Sequence, residues 1–211
     1  MSFLEKLLKS KPLPKVGVDE FVFAELVKDE RGSNPEWGDI LPIPGLEEIG
    51  YKSNVTRTPY FADNRKYAEN VVVLAEVTAK LADIPPALRA KLFGHDDEKV
   101  IMEEGDVNPI SIAIGYRIMK LGGGYRYIWV YNTTPVPFDE TNQTLTENTS
   151  FQADSVIFSS EKLVSTGKRR RMLDDDDPRL EELGITAKMI EDNWFKNPLW
   201  DLTIDVEVPE A

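Results

Sequence analysis

The chain has no cysteine and only one histidine among its 211 residues, which limits the chemistry that it can carry. Without cysteine it cannot form disulfides, thiolate metal ligands or a cysteine nucleophile. His95, which precedes Asp96 and Asp97, is a candidate for half a metal site or for a base. A lone histidine directly after a predicted helix end is more often structural. The sequence therefore predicts no catalytic residue, no metal site and no cofactor.

Long apolar runs and an excess of basic residues are missing as well. No stretch approaches the roughly 18 apolar residues of a membrane-spanning helix, and the first residues lack the features of a signal peptide. We therefore expect a protein made in the cytoplasm, without a membrane partner. The chain carries 25 basic against 37 acidic residues, a formal charge of -12. This balance argues against specific nucleic-acid binding, which needs basic clusters.

Two short charged runs lie close together in the last third of the chain. Residues 168–171 are all basic, and residues 174–177 are all aspartate. The acidic run lacks the ligand spacing and the glycine of a calcium loop, so a metal site is not favoured. The basic run resembles a localisation or nucleic-acid patch. We expect the two runs to neutralise each other in a charged turn over 166–178.

The strongest structural signal is a hairpin over 108–138. Apolar residues occupy every second position from Ile110 to Ile118, which is the period of a half-buried strand. Three glycines at 122–124 suit a tight reversal, because glycine tolerates positive φ angles. Tyr125, Tyr127, Trp129 and Tyr131 then share one face of the returning strand. Four aromatic side chains need a cover, and an ordinary sheet core is favoured over a subunit interface.

Other elements are indicated by alternation and by turn residues. A helix is predicted from Pro85 and Pro86 to a left-handed cap at Gly94, and a second helical stretch over 180–194 is broken at Gly184. Residues 29–44 are predicted as loop and 59–65 as a turn. Further strands are predicted at 16–27, 46–58, 70–81, 151–163 and 202–208.

We thus predict one mainly β domain over 16–200 with extensions. Residues 1–15 form an amphipathic arm followed by prolines, with Phe3, Leu4, Leu7 and Leu8 at helical spacing. So short a helix is marginal unless it docks on a partner, and the alternative is a frayed terminus. The polar stretch 132–152 is predicted to project, either towards a partner or as a disordered loop. Residues 201–211 form a second arm.

The order of these pieces over 16–195 resembles the major tail protein, or tail tube protein, of long-tailed non-contractile bacteriophages (siphophages). The pieces that carry the resemblance are the strand 16–27, Tyr60-Phe61-Ala62-Asp63-Asn64, the strand 71–81, Ile84-Pro85-Pro86-Ala87-Leu88, Leu92-Phe93-Gly94-His95, Pro109-Ile110, Gly115-Tyr116, Tyr125 to Tyr131, Phe151-Gln152-Ala153 and Asn193-Trp194-Phe195. The two arms and the segment 168–184 fall outside the usual pattern.

The resemblance implies a β-sandwich or barrel-like domain with one flanking α-helix. It further implies a structural, non-enzymatic virion protein whose six-membered rings stack into a hollow tail tube. Such a tube is built around a tape-measure protein, and double-stranded DNA later passes through it into the host without specific binding. Head-to-tail rings need unlike, complementary surfaces on one chain. The inter-subunit contacts are predicted at Phe3, Leu4, Leu7, Leu8, Tyr125, Tyr127, Trp129 and Tyr131.

Two other functions stay open at the level of sequence. A monomeric β-sandwich binding module, for example for carbohydrate, would use the row Tyr125 to Tyr131 as an exposed stacking platform. A metal-assisted hydrolase would need His95 and the neighbouring aspartates. If the tail-tube interpretation holds, a charge at Trp129 or Leu7 is expected to block assembly before it unfolds the domain.

Overall fold

A computed structural model of the chain describes residues 13–62, 65–98, 101–137 and 153–201. Within these ranges the protein is mainly β, as predicted, with eight strands in one antiparallel sheet. The strands are β1 Lys15–Lys28, β2 Glu36–Pro42, β3 Leu46–Ala62, β4 Arg65–Leu81, β5 Asp96–Glu98, β6 Ile101–Glu103, β7 Ile112–Lys120, β8 Gly124–Val136, β9 Asp154–Ser160 and β10 Arg170–Asp174. The helices are α1 Pro86–Phe93, α2 Arg179–Glu182 and α3 Ala187–Asn193, followed by a 3-10 turn at Trp194–Lys196.

The sheet has the strand order β2-β1-β7-β8-β9-β4-β3, and β10 pairs with β8 beside this path. The predicted hairpin is confirmed, because β7 and β8 are neighbours joined by the glycine turn, where Gly122 and Gly123 have φ angles of 96° and 95°. β5 and β6 form a separate two-stranded sheet. Nothing in this topology distinguishes the predicted sandwich or barrel from other sheet arrangements, so that finer point stays a prediction.

The described chain divides into two compact units, and the single domain predicted over 16–200 stays a prediction. Unit 1 consists of residues 13–44, 112–131 and 163–201, and unit 2 consists of the described residues within 45–111 and 132–162. β8 contributes residues to both units. Its first part pairs with β10, and its last part, from Thr133 to Val136, pairs with β9.

The core of unit 1 is built on the aromatic face of β8. Tyr127, Trp129 and Tyr131 are 1%, 1% and 0% exposed. They pack against side chains of the helical region that follows β10, including Ile190 and Trp194. β7 is also buried on both faces between Ile112 and Tyr116, so it is a central strand rather than the half-buried one that its alternation predicts.

Unit 2 combines β3, β4 and β9 with the predicted helix α1. The buried face of β4 presents Ala75, Val77, Ala79 and Leu81, in agreement with their spacing of two. Gly94 ends α1 with a left-handed φ of 71°, as predicted. A Cβ atom at this position would lie 2.4 Å from the carbonyl oxygen of Asn108, so only glycine fits.

Three predicted irregular stretches contain strand. The loop predicted over 29–44 includes β2, the turn predicted over 59–65 is part of the β3–β4 hairpin, and the turn predicted over 166–178 includes β10. In each case a neighbouring strand supplies hydrogen bonds that overcome an unfavourable local composition. The arm residues 1–12, the loop residues 138–152 and the strand predicted at 202–208 lie outside the described residues, while 132–136 belong to β8.

Candidate assembly surface

The hairpin of β3 and β4 extends beyond the strands that support it. β3 and β4 pair from Leu46↔Leu81 to Ala62↔Arg65. β9 pairs with β4 only from Ala75 to Leu81. Residues 54–62 and 65–74 therefore pair with each other and with no third strand in the described part of the chain. We call these two segments the β3–β4 ribbon.

The β3–β4 ribbon exposes apolar side chains to solvent. Val55, Tyr60 and Leu74 are 53%, 62% and 47% exposed. A two-stranded hairpin on its own is marginally stable in water, because it lacks a layer that would bury one of its faces. Exposed apolar groups on a projecting element are typical of surfaces that contact another molecule. The ribbon is therefore the strongest candidate for an assembly contact.

The outer edge of β3 is the second part of this candidate surface. β3 ends the strand order, so no described strand pairs with its outer side. Its register to β4 is regular from Glu48 to Tyr60, without a bulge. A long and regular edge is a template for pairing with another chain. The opposite edge strand, β2, differs, because its pairing with β1 contains two irregularities.

The ribbon carries charge of the opposite sign to the chain as a whole. Residues 54–62 and 65–74 contain Arg57, Arg65 and Lys66 against the single acidic residue Glu69. The whole chain carries -12. Such an element is complementary to acidic surfaces on other copies of the same chain. A contact between unlike surfaces is what a head-to-tail ring requires.

The predicted aromatic row is not part of an exposed surface. The indole N–H of Trp129 donates to the carbonyl oxygen of Trp194 at 3.0 Å, and the hydroxyl of Tyr131 donates to the carbonyl oxygen of Pro198 at 2.9 Å. Burial raises the pKa of Tyr131 to about 12, so the hydroxyl keeps its proton. Tyr125, at the start of the row, is partly buried, with the guanidinium of Arg117 4.4 Å from its ring centroid.

The inter-subunit role predicted for Tyr127, Trp129 and Tyr131 is therefore wrong for the folded chain, and so is an exposed stacking platform built on them. The cover over these rings comes from residues more than sixty positions further along, which periodicity does not reveal. The role predicted for Phe3, Leu4, Leu7 and Leu8 stays a prediction, because these residues lie outside the described part of the chain.

Three aspartates of the acidic run pair with cations outside the basic run, whereas the sequence predicts that the two runs neutralise each other. In the antiparallel pair of β10 and β8, Asp174 lies opposite Arg126, and its carboxylate accepts a hydrogen bond from the Arg126 Nε at 2.6 Å. The Lys120 ammonium lies 3.0 Å from Asp174 and 2.5 Å from Asp176. Asp177 pairs with Arg179. The aspartates thus bind cations from β7, β8 and α2. Strand pairing sets the partnership of Asp174 with Arg126, whereas Asp177 pairs with a near neighbour in sequence.

The pKa values of the neighbouring carboxyl groups of Asp174 and Asp175 are shifted in opposite directions. Burial acts to raise the pKa of Asp174, but hydrogen bonds from Arg126 and Lys120 outweigh it, and the net pKa lies below the usual 3.8. Burial raises the pKa of Asp175, although the backbone N–H of Tyr125 donates to it. The ion pair of Lys120 with Asp174 is therefore complete above about pH 4 and is lost as the pH falls through the pKa of Asp174.

Replacing Lys120 with methionine is expected to destabilise unit 1 by about 2 kcal/mol at pH 7, because it leaves Asp174 and Asp176 without their shared cation. The difference between this variant and the original protein should shrink below about pH 4, as Asp174 becomes protonated. Urea unfolding at pH 7 and pH 3 measures both effects. Lys188→Met, at a side chain 79% exposed, is the control and should cost less than about 0.5 kcal/mol. An equal loss at both pH values would contradict the ion-pair explanation.

His95 lies where a structural histidine is expected. It follows the cap of α1, is half-buried, and its ring stacks on Phe93 with 6.0 Å between centroids. In the ranges that the structure describes, no group of three or more histidine, aspartate or glutamate side chains is placed to hold a metal ion. No described helix is long and apolar enough to cross a bilayer.

Comparison with known proteins does not identify this chain. No protein-family model matches it, and no curated protein sequence matches it at a significant level. The β3–β4 ribbon, with its regular edge, exposed apolar side chains and basic charge, is therefore the feature of the molecule on which a function is best argued.

Proposed function

We propose that the protein is a structural subunit that assembles with copies of itself, through the β3–β4 ribbon, into the rings of a bacteriophage tail tube. The single observation that carries self-assembly is the ribbon, a long regular hairpin whose outer half has no third strand in the described part of the chain. An element of this kind gains its missing layer from a neighbouring molecule.

The charge distribution favours another copy of the same chain as that neighbour. The ribbon is basic in a chain of net charge -12, so every copy offers both a basic element and an acidic remainder. When two copies join through unlike surfaces, the pair still has one basic surface and one acidic surface free. Further copies can therefore add, and the assembly becomes a closed ring or an open filament. The number of six subunits, the stacking of rings and the tape-measure partner are proposed from the sequence resemblance.

The acidic balance also suits a conduit for DNA. In a hexamer of chains that each carry -12, carboxylates that face the lumen would repel phosphates. Screening limits this repulsion to about 8 Å at physiological salt, so only the lining matters. Repulsion without specific contacts lets DNA pass without sticking. Under this proposal the protein acts in the virion, in the phage tail, and carries out no reaction of its own.

Electron microscopy of the purified protein over a range of concentrations, together with sedimentation velocity, tests the proposal. We expect rings or hollow tubes to appear as the concentration rises, because each additional subunit completes another ribbon contact. Raising the salt concentration should shift this transition to higher protein concentration, since the contact joins opposite charges. A single species of 23.9 kDa at every concentration and salt condition would contradict self-assembly through this surface.

A further inference from the structure

A groove of about 1010 Å³ opens on the surface of unit 1. Aromatic residues Trp37, Tyr131 and Trp200 contribute to its wall, and the rings of Trp37 and Tyr131 lie 5.9 Å apart. Tyr131 and Trp200 are buried, while Trp37 is half-buried. Apolar contact area for an occupant therefore comes from the half-buried side chains of Trp37, Ile40 and Leu199, and the volume is close to the upper end of the usual range for binding sites.

Cations dominate the charged groups of the groove. Lys168, Arg170, Arg171 and Lys196 line it, against the single carboxylate of Asp201. A cluster of four basic side chains is unusual in a chain with a net charge of -12. Cations beside an apolar wall favour an occupant that presents carboxylates on one side and aliphatic groups on the other.

The chain itself contains a segment with the required chemistry. In residues 202–208 the aliphatic Leu202, Ile204, Val206 and Val208 alternate with Thr203, Asp205 and Glu207, and Glu210 follows. In an extended conformation this alternation places aliphatic groups on one side and carboxylates on the other. The segment follows directly after Asp201, which lines the groove.

We propose that the groove of unit 1 binds the acidic segment 202–211 of its own chain. The tether gives the segment an effective concentration in the millimolar range, so weak contacts suffice and an intramolecular arrangement precedes any exchange between copies. The binding depends on charge and is therefore sensitive to salt. It requires neither rings nor tubes, and it stands or falls independently of the proposed function.

Cross-linking within the full-length chain tests this proposal. Because the chain has no cysteine, Thr166→Cys in the groove and Pro209→Cys in the segment introduce the only two thiols. A short bis-maleimide should join them within one molecule, at a rate that does not depend on protein concentration. Reversal of two groove charges, by Lys168→Glu and Lys196→Glu, should slow this cross-linking roughly five- to tenfold, and high salt should have a similar effect.

The matched control reverses two exposed charges of unit 1 that do not line the groove, by Lys28→Glu and Lys188→Glu, and should leave the rate unchanged. Equal rates in the groove and control variants would overturn the proposal. If a mixture of the two singly substituted chains cross-links as fast as the doubly substituted chain, the contact forms between molecules, and the intramolecular arrangement is overturned. If no tubes form but the groove variant still cross-links more slowly than the control variant, the proposed function is rejected and the binding of the segment stands.

Discussion

Replacing Trp129 with aspartate is expected to unfold unit 1 before any effect on assembly can be measured. The side chain is 1% exposed and packs edge-on against Phe195 at 5.9 Å between ring centroids. Loss of a buried aromatic side chain costs about 3–5 kcal/mol, and an unpaired buried charge adds several more. This approaches the total stability of an ordinary domain, which is about 5–15 kcal/mol. The structure therefore reverses the order of effects that the sequence predicts for this residue.

Near-ultraviolet circular dichroism and urea unfolding measure the loss. Trp129→Phe is the conservative control, because it retains most of the ring volume and loses the hydrogen bond to Trp194. It should remain folded, at a cost of about 1–3 kcal/mol. An aspartate variant that is as stable as the original protein but fails to assemble would instead support the interface role.

Gly115 offers a second probe of the packing around Trp129. A Cβ atom at Gly115 would lie 2.8 Å from two ring atoms of Trp129 and 2.9 Å from Cγ2 of Val22. Gly115→Ala should therefore destabilise unit 1 by about 1–3 kcal/mol through overpacking. Combined with Trp129→Phe, the two changes should not be additive, since the smaller ring relieves the clash.

Replacing Val55 or Tyr60 with aspartate is expected to abolish assembly while the isolated subunit stays folded. Both side chains are more than half exposed, so the substitution should change the stability of the subunit by less than about 0.5 kcal/mol. Buried in a contact between subunits, the new charge would cost about 2 kcal/mol or more at each contact. At about 1.4 kcal/mol per factor of ten, the concentration needed for assembly should rise at least thirtyfold.

Sedimentation velocity and electron microscopy at matched concentrations measure this shift, and urea unfolding verifies that the subunit is intact. Ile101→Asp is the matched control, because Ile101 is 62% exposed, like Tyr60, and belongs to unit 2 but not to the ribbon. The control should assemble as the original protein does. Normal tubes from the Tyr60 and Val55 variants would remove the ribbon from the assembly interface.

Elements whose signals are local were predicted well from the sequence. The hairpin of β7 and β8 follows from alternation on both sides of three consecutive glycines, and α1 follows from its initial prolines and from Gly94 at its end. These signals depend on φ angles and on side-chain period, which neighbouring residues decide among themselves. The mainly β class follows from the same alternation.

Elements whose hydrogen bonds come from distant strands were missed. β2 lies in a stretch with the composition of a loop, and it is a strand because β1 supplies its partners, as in the pairing of Leu26 with Trp37. β10 is a strand because β8 lies beside it, and the same pairing brings Asp174 to Arg126 rather than to the basic run next to it. Tertiary context overrides local composition in both cases.

The sequence by itself determined the class of fold, the turn of the central hairpin, the end of α1 and the acidic balance, because each depends on residue type and short-range spacing. Only the tertiary structure decided that Trp129 and its neighbours are core, since their cover comes from Trp194 and Pro198 far along the chain. It alone showed that the outer half of the β3–β4 hairpin lacks a third described strand. Burial and strand neighbours are properties of the whole chain, so no local pattern encodes them.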